Sequence, residues 1–292
     1  MTTLARADYG RLQRVALKRP QLAFASQPAI EEQWHQLGFT AAPQFELALA
    51  EYDAFEQILR AHDIAIDYLP DTVGTSLDSL YVRDASVLCE RGAILCRMGK
   101  NARRGEPAAH GELYANLGIP VLGAIEPPGT LEGGDVAWLD RRTIAVGHGY
   151  RTNASGIEQL RGLLGNSIDT LIVAQLPHYR GPADVFHLMS ILSPLGAQRA
   201  LVYSPLMPVA LRETLLARRC ELIEVADDEF ETLGCNALAL APATCLLPRG
   251  NPQTRARLER AGVEVIEFSA AEISLKGGGG PTCLTRPLEW AV

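Results

Sequence analysis

The sequence predicts an α/β fold built from five repeats of a strand, strand, helix, strand unit around one ring, and three observations carry that expectation. The order of elements recurs along the 292 residues. A polar or reactive residue stands at the head of each unit: Asp84, Glu132, His187, Asn236 and Cys283. These positions are separated by 48, 55, 49 and 47 residues, and self-similarity at a near-constant period sets architecture before any local motif does. Equivalent points on equivalent strands would face a common axis and meet in one central pit. Periodicity alone does not separate this ring from an open α/β sheet, which would leave the recurring polar phase to coincidence.

Taken in order, Arg14 to Pro20 reads as a strand stopped by proline, followed by a loop through Leu22-Ala23-Phe24 and a polar and aromatic stretch to Phe39. Phe45 to Ala61 has helical periodicity and leads into the strand Ile66 to Leu69. In the second unit, Tyr81 to Cys89 and Ala93 to Arg97 flank a turn at Glu90-Arg91-Gly92, a helix ends near Gly118, and Pro120 to Gly123 closes the unit. In the third, Asp135 to Leu139, Thr143 to Val146 and Leu171 to Val173 are strands, and Ser155-Gly156-Ile157-Glu158 reads as a capping box opening the helix. The fourth places strands at Leu188 to Leu192, Ala200 to Tyr203 and Glu221 to Val225, with a helix from near Pro208. The fifth places them at Ala237 to Leu240, Thr244 to Leu247 and Val263 to Ile266, with Asn251-Pro252 capping its helix. A last strand from Cys283 would complete the first unit.

Composition narrows the function classes. A hydrophobic fraction of 47% matches a globular protein, and a net charge of −7 without a basic run offers no footprint for nucleic acid. No apolar run reaches the roughly 20 residues a membrane helix needs, and Met1 to Gly10 lacks an apolar leader core, so a cytoplasmic protein is expected. Six cysteines form no C-x-x-C pair and the histidines show no zinc spacing, which argues against a structural metal. Cys89, Cys96, Cys235 and Cys245 lie in apolar strand-like runs and read as core thiols.

Cys283 differs by context. Four glycines, Gly277 to Gly280, precede it and remove every Cβ from the approach, which suits close contact with another group. On that stretch alone the thiol reads equally as a nucleophile or as a buried cysteine beside a turn. Leu131-Glu132-Gly133-Gly134-Asp135 pairs a carboxylate with glycines, and His187 sits among apolar neighbours. Taken alone, His187 is more often a core histidine. Thiol, imidazole and carboxylate together are the parts of nucleophilic catalysis.

These motifs, with Lys18-Arg19-Pro20, Tyr81-Val82-Arg83-Asp84 and Arg151-Thr152-Asn153, occur in an order that resembles the guanidino-group-modifying superfamily of dimethylarginine dimethylaminohydrolases, arginine deiminases and amidinotransferases. The resemblance implies a five-bladed α/β propeller, or pentein, in one catalytic domain over residues 1–292, with neither cofactor nor metal. It implies that Cys283 attacks a guanidinium carbon, that His187 moves the proton, and that Glu132 and Asp84 clamp the cation. Arg151 matches the position that contacts a substrate carboxylate, with Arg103 or Arg104 as a second contact, and Leu22 lies where relatives carry a mobile lid. The expected partner is a small guanidino compound, with neither nucleic acid nor membrane, in a possible homodimer.

Two departures bear on the substrate. Deiminases carry an aspartate two residues after the histidine where this chain has Met189, which favours the dimethylarginine hydrolases. Arg83-Asp84, by contrast, resembles the deiminase dipeptide. Methylated arginine is the expected substrate; arginine, an amidino transfer, and a ring-shaped ligand-binding scaffold with an inert Cys283 are the alternatives.

Overall fold

A computed structural model describes residues 7–72, 74–184 and 186–291. Its strands form five separate three-stranded sheets, each with one antiparallel and one parallel pairing. In the first, β1 (Arg11–Leu17) is followed by α1 (Pro20–Ala23), α2 (Gln27–Leu37), α3 (Phe45–Ala61) and β2 (Ala65–Tyr68), which pairs parallel to β1. The second holds β3 (Ser86–Cys89), β4 (Gly92–Leu95), α4 (Glu106–Leu117) and β5 (Val121–Ala124). The third holds β6 (Val136–Asp140), β7 (Thr143–His148), α5 (Ala154–Leu164) and β8 (Thr170–Gln175). The fourth comprises β9 (Leu192–Gly196), β10 (Arg199–Val202), α6 (Val209–Ala217) and β11 (Glu221–Glu224), and the fifth β12 (Leu238–Ala241), β13 (Thr244–Pro248), α7 (Pro252–Arg260) and β14 (Glu264–Phe268). The final strand, β15 (Arg286–Ala291), pairs antiparallel with β1, with Arg11 opposite Ala291, so the two ends of the described chain complete one sheet.

The core lies in the seams between sheets. Along β6 the side chains alternate, as a pleated strand requires. Val136 and Trp138 pack with Val87, Ile94 and α5, whereas Ala137 and Leu139 pack with Leu192, Val202 and α6. The second, third and fourth sheets each join two neighbouring cores in this way. The parallel outer strands are less buried, as β2 and β5 show.

The expected element order is observed, and Phe45–Ala61 is helical to the residue. Differences concentrate ahead of the first strand of each repeat. Tyr81 to Asp84 precedes β3 instead of belonging to it, Leu188–Ser190 is a 3-10 turn before β9, and Cys283 lies in a turn before β15. Local side-chain hydrogen bonds compete there with extended backbone. Asp135 Oδ1 accepts from the Leu188 amide at 2.9 Å, and Ser190 Oγ accepts from the His187 amide at 3.1 Å.

The stretch before Phe39 is not a loop. It contains α1, which carries Leu22, and α2, whose Ser26 cap accepts from the Ala29 amide at 3.3 Å and whose Gly38 adopts φ 83°. Ser26, Pro28 and Gly38 are ordinary start and stop signals. The cap of α5 is Asn153, not the Ser155 box, because Asn153 Oδ1 accepts from the Gly156 amide at 2.9 Å. Asn251 occupies the cap position of α7, but its amide donates to the carbonyls of Pro248 and Thr232. Glu229, from another loop, caps that helix by accepting from the Gln253 and Thr254 amides, both at 2.7 Å. A carboxylate at a helix N-terminus is favourable on charge as well.

Asn153 also accepts from the Thr130 amide at 3.1 Å and donates to Pro128 O at 3.0 Å, tying α5 to the approach of Glu132. Asn153→Ala is expected to lower unfolding free energy by about 1–2 kcal/mol, read as a lower urea midpoint at unchanged slope. An unchanged midpoint would contradict this role.

Candidate active site

The loops ahead of β3, β6, β9, β12 and β15 bring Asp84, Glu132, His187, Asn236 and Cys283 to one end of the sheets. Donor atoms of Asp84, Glu132 and His187 lie within 4.8 Å of one another, and all three side chains are buried. Two carboxylates and an imidazole are also a donor set that could hold a divalent cation.

Glu132 is fully buried. Its Oε2 is 2.7 Å from His187 Nε2 and accepts from Arg151 Nη1 at 3.1 Å, while Oε1 accepts from the Lys100 amide at 3.1 Å. Burial pushes this carboxyl up, but the His187 bond and the charges of His187 and Arg151 outweigh it and hold the group well below the usual carboxylate range. For His187 burial acts downward, and the charges of Asp84, Asp135 and Glu132 raise it to about 9. The ring is therefore an imidazolium at neutral pH. Its Nδ1, the nitrogen not committed to Glu132, lies 3.9 Å from Asp84 Oδ1.

Asp84 Oδ1 accepts from the Gly134 amide at 2.9 Å and Oδ2 from Arg103 Nη1 at 2.5 Å. Gly134 has to lack a Cβ, because one would stand 2.6 Å from Asp84 Oδ1 and 2.7 Å from His187 Nδ1. Asp135, which sequence reasoning left out of the site, braces it from behind. It accepts from Thr152 Oγ1 at 2.6 Å and from the Leu188 amide, and Thr152 Oγ1 accepts from the Glu132 amide at 3.1 Å. Burial raises the Asp135 carboxyl to about 6 against the pull of His187 and Thr152. Its place within the Glu-Gly-Gly-Asp run was the available signal.

Cys283 is half-buried and unpaired. Asn236 Nδ2 donates to its Sγ at 3.5 Å, while Asn236 Oδ1 accepts from the Thr282 amide at 3.0 Å and from Thr282 Oγ1 at 2.8 Å. A Cβ on Gly280 would lie 2.5 Å from the Asn236 side chain, so the glycine run is needed for this contact. Burial and the Asp84 charge raise the thiol, opposed by bonds from Thr282 and Asn236. Cys235 and Cys245 are buried core thiols with raised pKa, Cys245 to about 12, as their apolar runs predicted.

Arg151 is buried, with Nη1 on Glu132 and Nη2 donating to Asp184 O at 3.3 Å. Arg103 departs from the expectation of a free carboxylate contact. It is buried, with Nε and Nη2 on Glu106 at 2.9 and 2.8 Å, Nη2 on Tyr81 O at 2.8 Å, and Nη1 on Asp84. Glu106, three residues on, captures it. Arg104 is exposed, and Leu22, 39% exposed on α1, is absent from the residues lining the space around Cys283.

That space has two compartments, and Cys283 and His187 line both. One is narrow and charged, bounded by Asp78, Lys100, Arg103 and Arg151; the other is a cleft of about 170 Å³ open to the outside. Among the described residues no helix is long and apolar enough to cross a membrane.

The chain is 32% identical to an N(G),N(G)-dimethylarginine dimethylaminohydrolase of Streptomyces coelicolor, over 82% of this chain and 85% of the relative. Its fold is similar to that of a Pseudomonas aeruginosa dimethylarginine dimethylaminohydrolase, a cysteine-to-serine mutant solved with citrulline, at TM-score 0.73 and 23% identity, covering 94% of this chain and 98% of that one. It is likewise similar to SxtG, an amidinotransferase from Microseira wollei, at TM-score 0.80 and 17% identity over 99% and 97% of the two chains. A sequence model of the family described as N,N dimethylarginine dimethylhydrolase, eukaryotic, matches residues 21–289, and the chain belongs to that family of guanidino-modifying enzymes.

Proposed function

We propose that this protein hydrolyses Nω-methylated arginine to citrulline and methylamine or dimethylamine, and that its five sheets are the blades of a single-domain, five-bladed α/β propeller. The observation that carries the reading is that Asp84 and His187 line the space that holds Cys283, with Glu132 held on His187 Nε2. A guanidinium stays protonated at neutral pH and offers paired N–H donors in one plane. Asp84 and Glu132 accept them and hold the central carbon in line with sulfur. The larger cleft, about 170 Å³ and lined by Arg180, Asp184, Glu231 and Lys276 as well as by Cys283 and His187, has the room for an amino-acid head.

The arriving cation offsets the Asp84 charge that favours the thiol. Cys283 then loses its proton to solvent water, and the thiolate attacks the guanidinium carbon. His187 gives its proton to the departing nitrogen, the C–N bond breaks with its electron pair on the amine, and a thiouronium remains on Cys283. Neutral His187 next takes a proton from water, whose hydroxide adds to the same carbon; the C–S bond then breaks with its electron pair on sulfur while the hydroxyl proton passes to solvent, releasing the ureido product and thiolate. Met189 supports a methylated leaving nitrogen, since a thioether takes the place of a carboxylate acceptor and its Sδ lies against Arg83 Nη2 at 3.0 Å. Asn236 and Arg103 act as positioning residues, the first for sulfur and the second for Asp84.

Mass spectrometry of products from arginine, monomethylarginine and asymmetric dimethylarginine tests the reading. Citrulline with methylamine or dimethylamine is expected, abolished in Cys283→Ser and reduced about 10²–10⁴-fold in His187→Asn, the usual worth of a general acid. Ammonia from arginine as the favoured reaction would move the protein to deiminase chemistry, and amidino transfer to an added amine would move it to the transferases.

The proton inventory gives a second test. His187 in the folded protein is raised to about 9, so its stabilising charge is fully present below about pH 6.5, its unfolded value, and is lost as pH rises through about 9. NMR of the imidazole should show titration well above pH 7 in wild type and at lower pH in Glu132→Gln. A wild-type ring titrating below neutrality would contradict its role as acid.

A further inference from the structure

The room for an amino-acid head lies in the open cleft. A water needs about 10–15 Å³ of such volume, so the charged compartment, at about 10 Å³, holds roughly one, whereas the cleft, at about 170 Å³, holds roughly a dozen. The two arginines that the family resemblance offers to the head are committed elsewhere, Arg103 to Asp84 and Glu106, and Arg151 to Glu132 and the Asp184 carbonyl. Of the cations lining the cleft, Lys276 Nζ donates to both oxygens of Glu272, at 2.9 and 2.7 Å, and to Ala42 O at 3.1 Å, and Arg83 is buried with Nη2 on Asp8 at 2.8 Å. Arg180 is different. It is exposed, and its one ion pair among the described residues joins Nη2 to Glu231 Oε1 at 2.6 Å, which leaves other N–H donors of the guanidinium for a ligand.

Asp184 stands four residues on, across a turn in which Gly181 adopts φ 105° and the Asp184 amide donates to the Gly181 carbonyl at 3.2 Å. Its carboxylate is half-buried, lines the same cleft, and has no hydrogen bond or ion pair among the described residues. Burial acts to lower the Arg180 guanidinium, and the charges of Glu231, Tyr179 and Asp184 overcome it, so Arg180 and Asp184 stand within electrostatic reach of each other. The turn is tied to the buried pair, because Asp184 O accepts from Arg151 Nη2 at 3.3 Å while Nη1 of the same arginine holds Glu132. The chain then runs directly to His187.

We propose that Arg180 and Asp184 read the substrate's α-amino-acid head, Arg180 its carboxylate and Asp184 its ammonium. The inference rests on the hydrolase reading above and assigns the specificity of that same site. Opposite charges carried by one turn are the complement of a zwitterion, and each contact is a charge-assisted hydrogen bond. Ordering a long exposed side chain usually offsets such a contact. Here Glu231 on Nη2 and the Tyr179 ring, whose centroid lies 5.1 Å from Arg180 Cζ, already hold the guanidinium in place. Arg151 thereby has another task from the one the family resemblance implies: it ties the turn that reads the head to the carboxylate that charges His187.

The test is methylamine release from Nω-methylarginine, from Nω-methylagmatine, which lacks the carboxylate, and from δ-(methylguanidino)valerate, which lacks the ammonium. The proteins are wild type, Arg180→Met, Arg180→Lys and Asp184→Asn, whose altered side chains reach solvent, so each is expected to fold. Wild type should favour methylarginine over both analogues. Arg180→Met should raise KM for methylarginine about tenfold, the worth of one charge-assisted hydrogen bond, with kcat little changed and no such rise for methylagmatine. Arg180→Lys should recover part of the loss. Asp184→Asn should raise KM for methylarginine but not for the valerate. Equal losses on methylarginine and on the analogue lacking the matching group, or no loss in either variant, overturn the inference, because a merely structural role does not tell the analogues apart. Wild type that takes methylagmatine as readily as methylarginine overturns it too. Absence of methylamine from every compound would overturn the hydrolase reading, and the inference would fall with it.

Discussion

The contact on which the rest of the site depends is the buried pair between Glu132 and His187. A carboxylate with no exposure requires full compensation, because an unpaired buried charge is expensive. Glu132 obtains it from the imidazolium, the Arg151 guanidinium and the Lys100 amide, which come from three different parts of the chain. Each partner is fixed in turn. Thr152 and Asp135 set the turn that presents Glu132 and the start of the next repeat, and Asp184 O holds Arg151. The acid in the proposed chemistry is thus charged because the fold has to satisfy a carboxylate.

The thiol is governed by the opposite arrangement. Asn236 and Thr282 orient sulfur, while burial and the Asp84 charge favour the thiol. Arg103 and Glu106 extend this chain of alternating charge behind Asp84, and burial raises the Glu106 carboxyl to about 7 against the pull of Arg103. One oxygen of Asp84 is anchored on a guanidinium of the protein and the other on the Gly134 amide.

Much of this was legible in the residues. The recurring polar position named all five side chains that meet at the site, and the glycines before Cys283 and beside Glu132 signalled the close approaches now seen at Asn236 and at Asp84 and His187. Strand starts were misread because apolar residues such as Leu188 continue a hydrophobic pattern through a turn. That turn is set by hydrogen bonds from Asp135 and Ser190, which pattern does not display. The helix at Gln27–Leu37 was readable from its cap and its terminal glycine, but only Ile30, Trp34 and Leu37 carry its apolar stripe amid polar residues, which masked it. The capture of Arg103 by Glu106 is a local i, i+3 pair that the sequence offered, whereas the α7 cap comes from Glu229, 24 residues from Gln253, a tertiary partner without a local signature.

The central claim is that the substrate's positive charge generates its own nucleophile. Thiolate ultraviolet absorbance, titrated with and without an unreactive guanidinium ligand and referenced to Cys283→Ser, tests it most directly. The account predicts that ligand moves the apparent pKa of Cys283 downward and raises thiolate at neutral pH. An unchanged titration, or a thiol already ionised at neutral pH in the free protein, would contradict it.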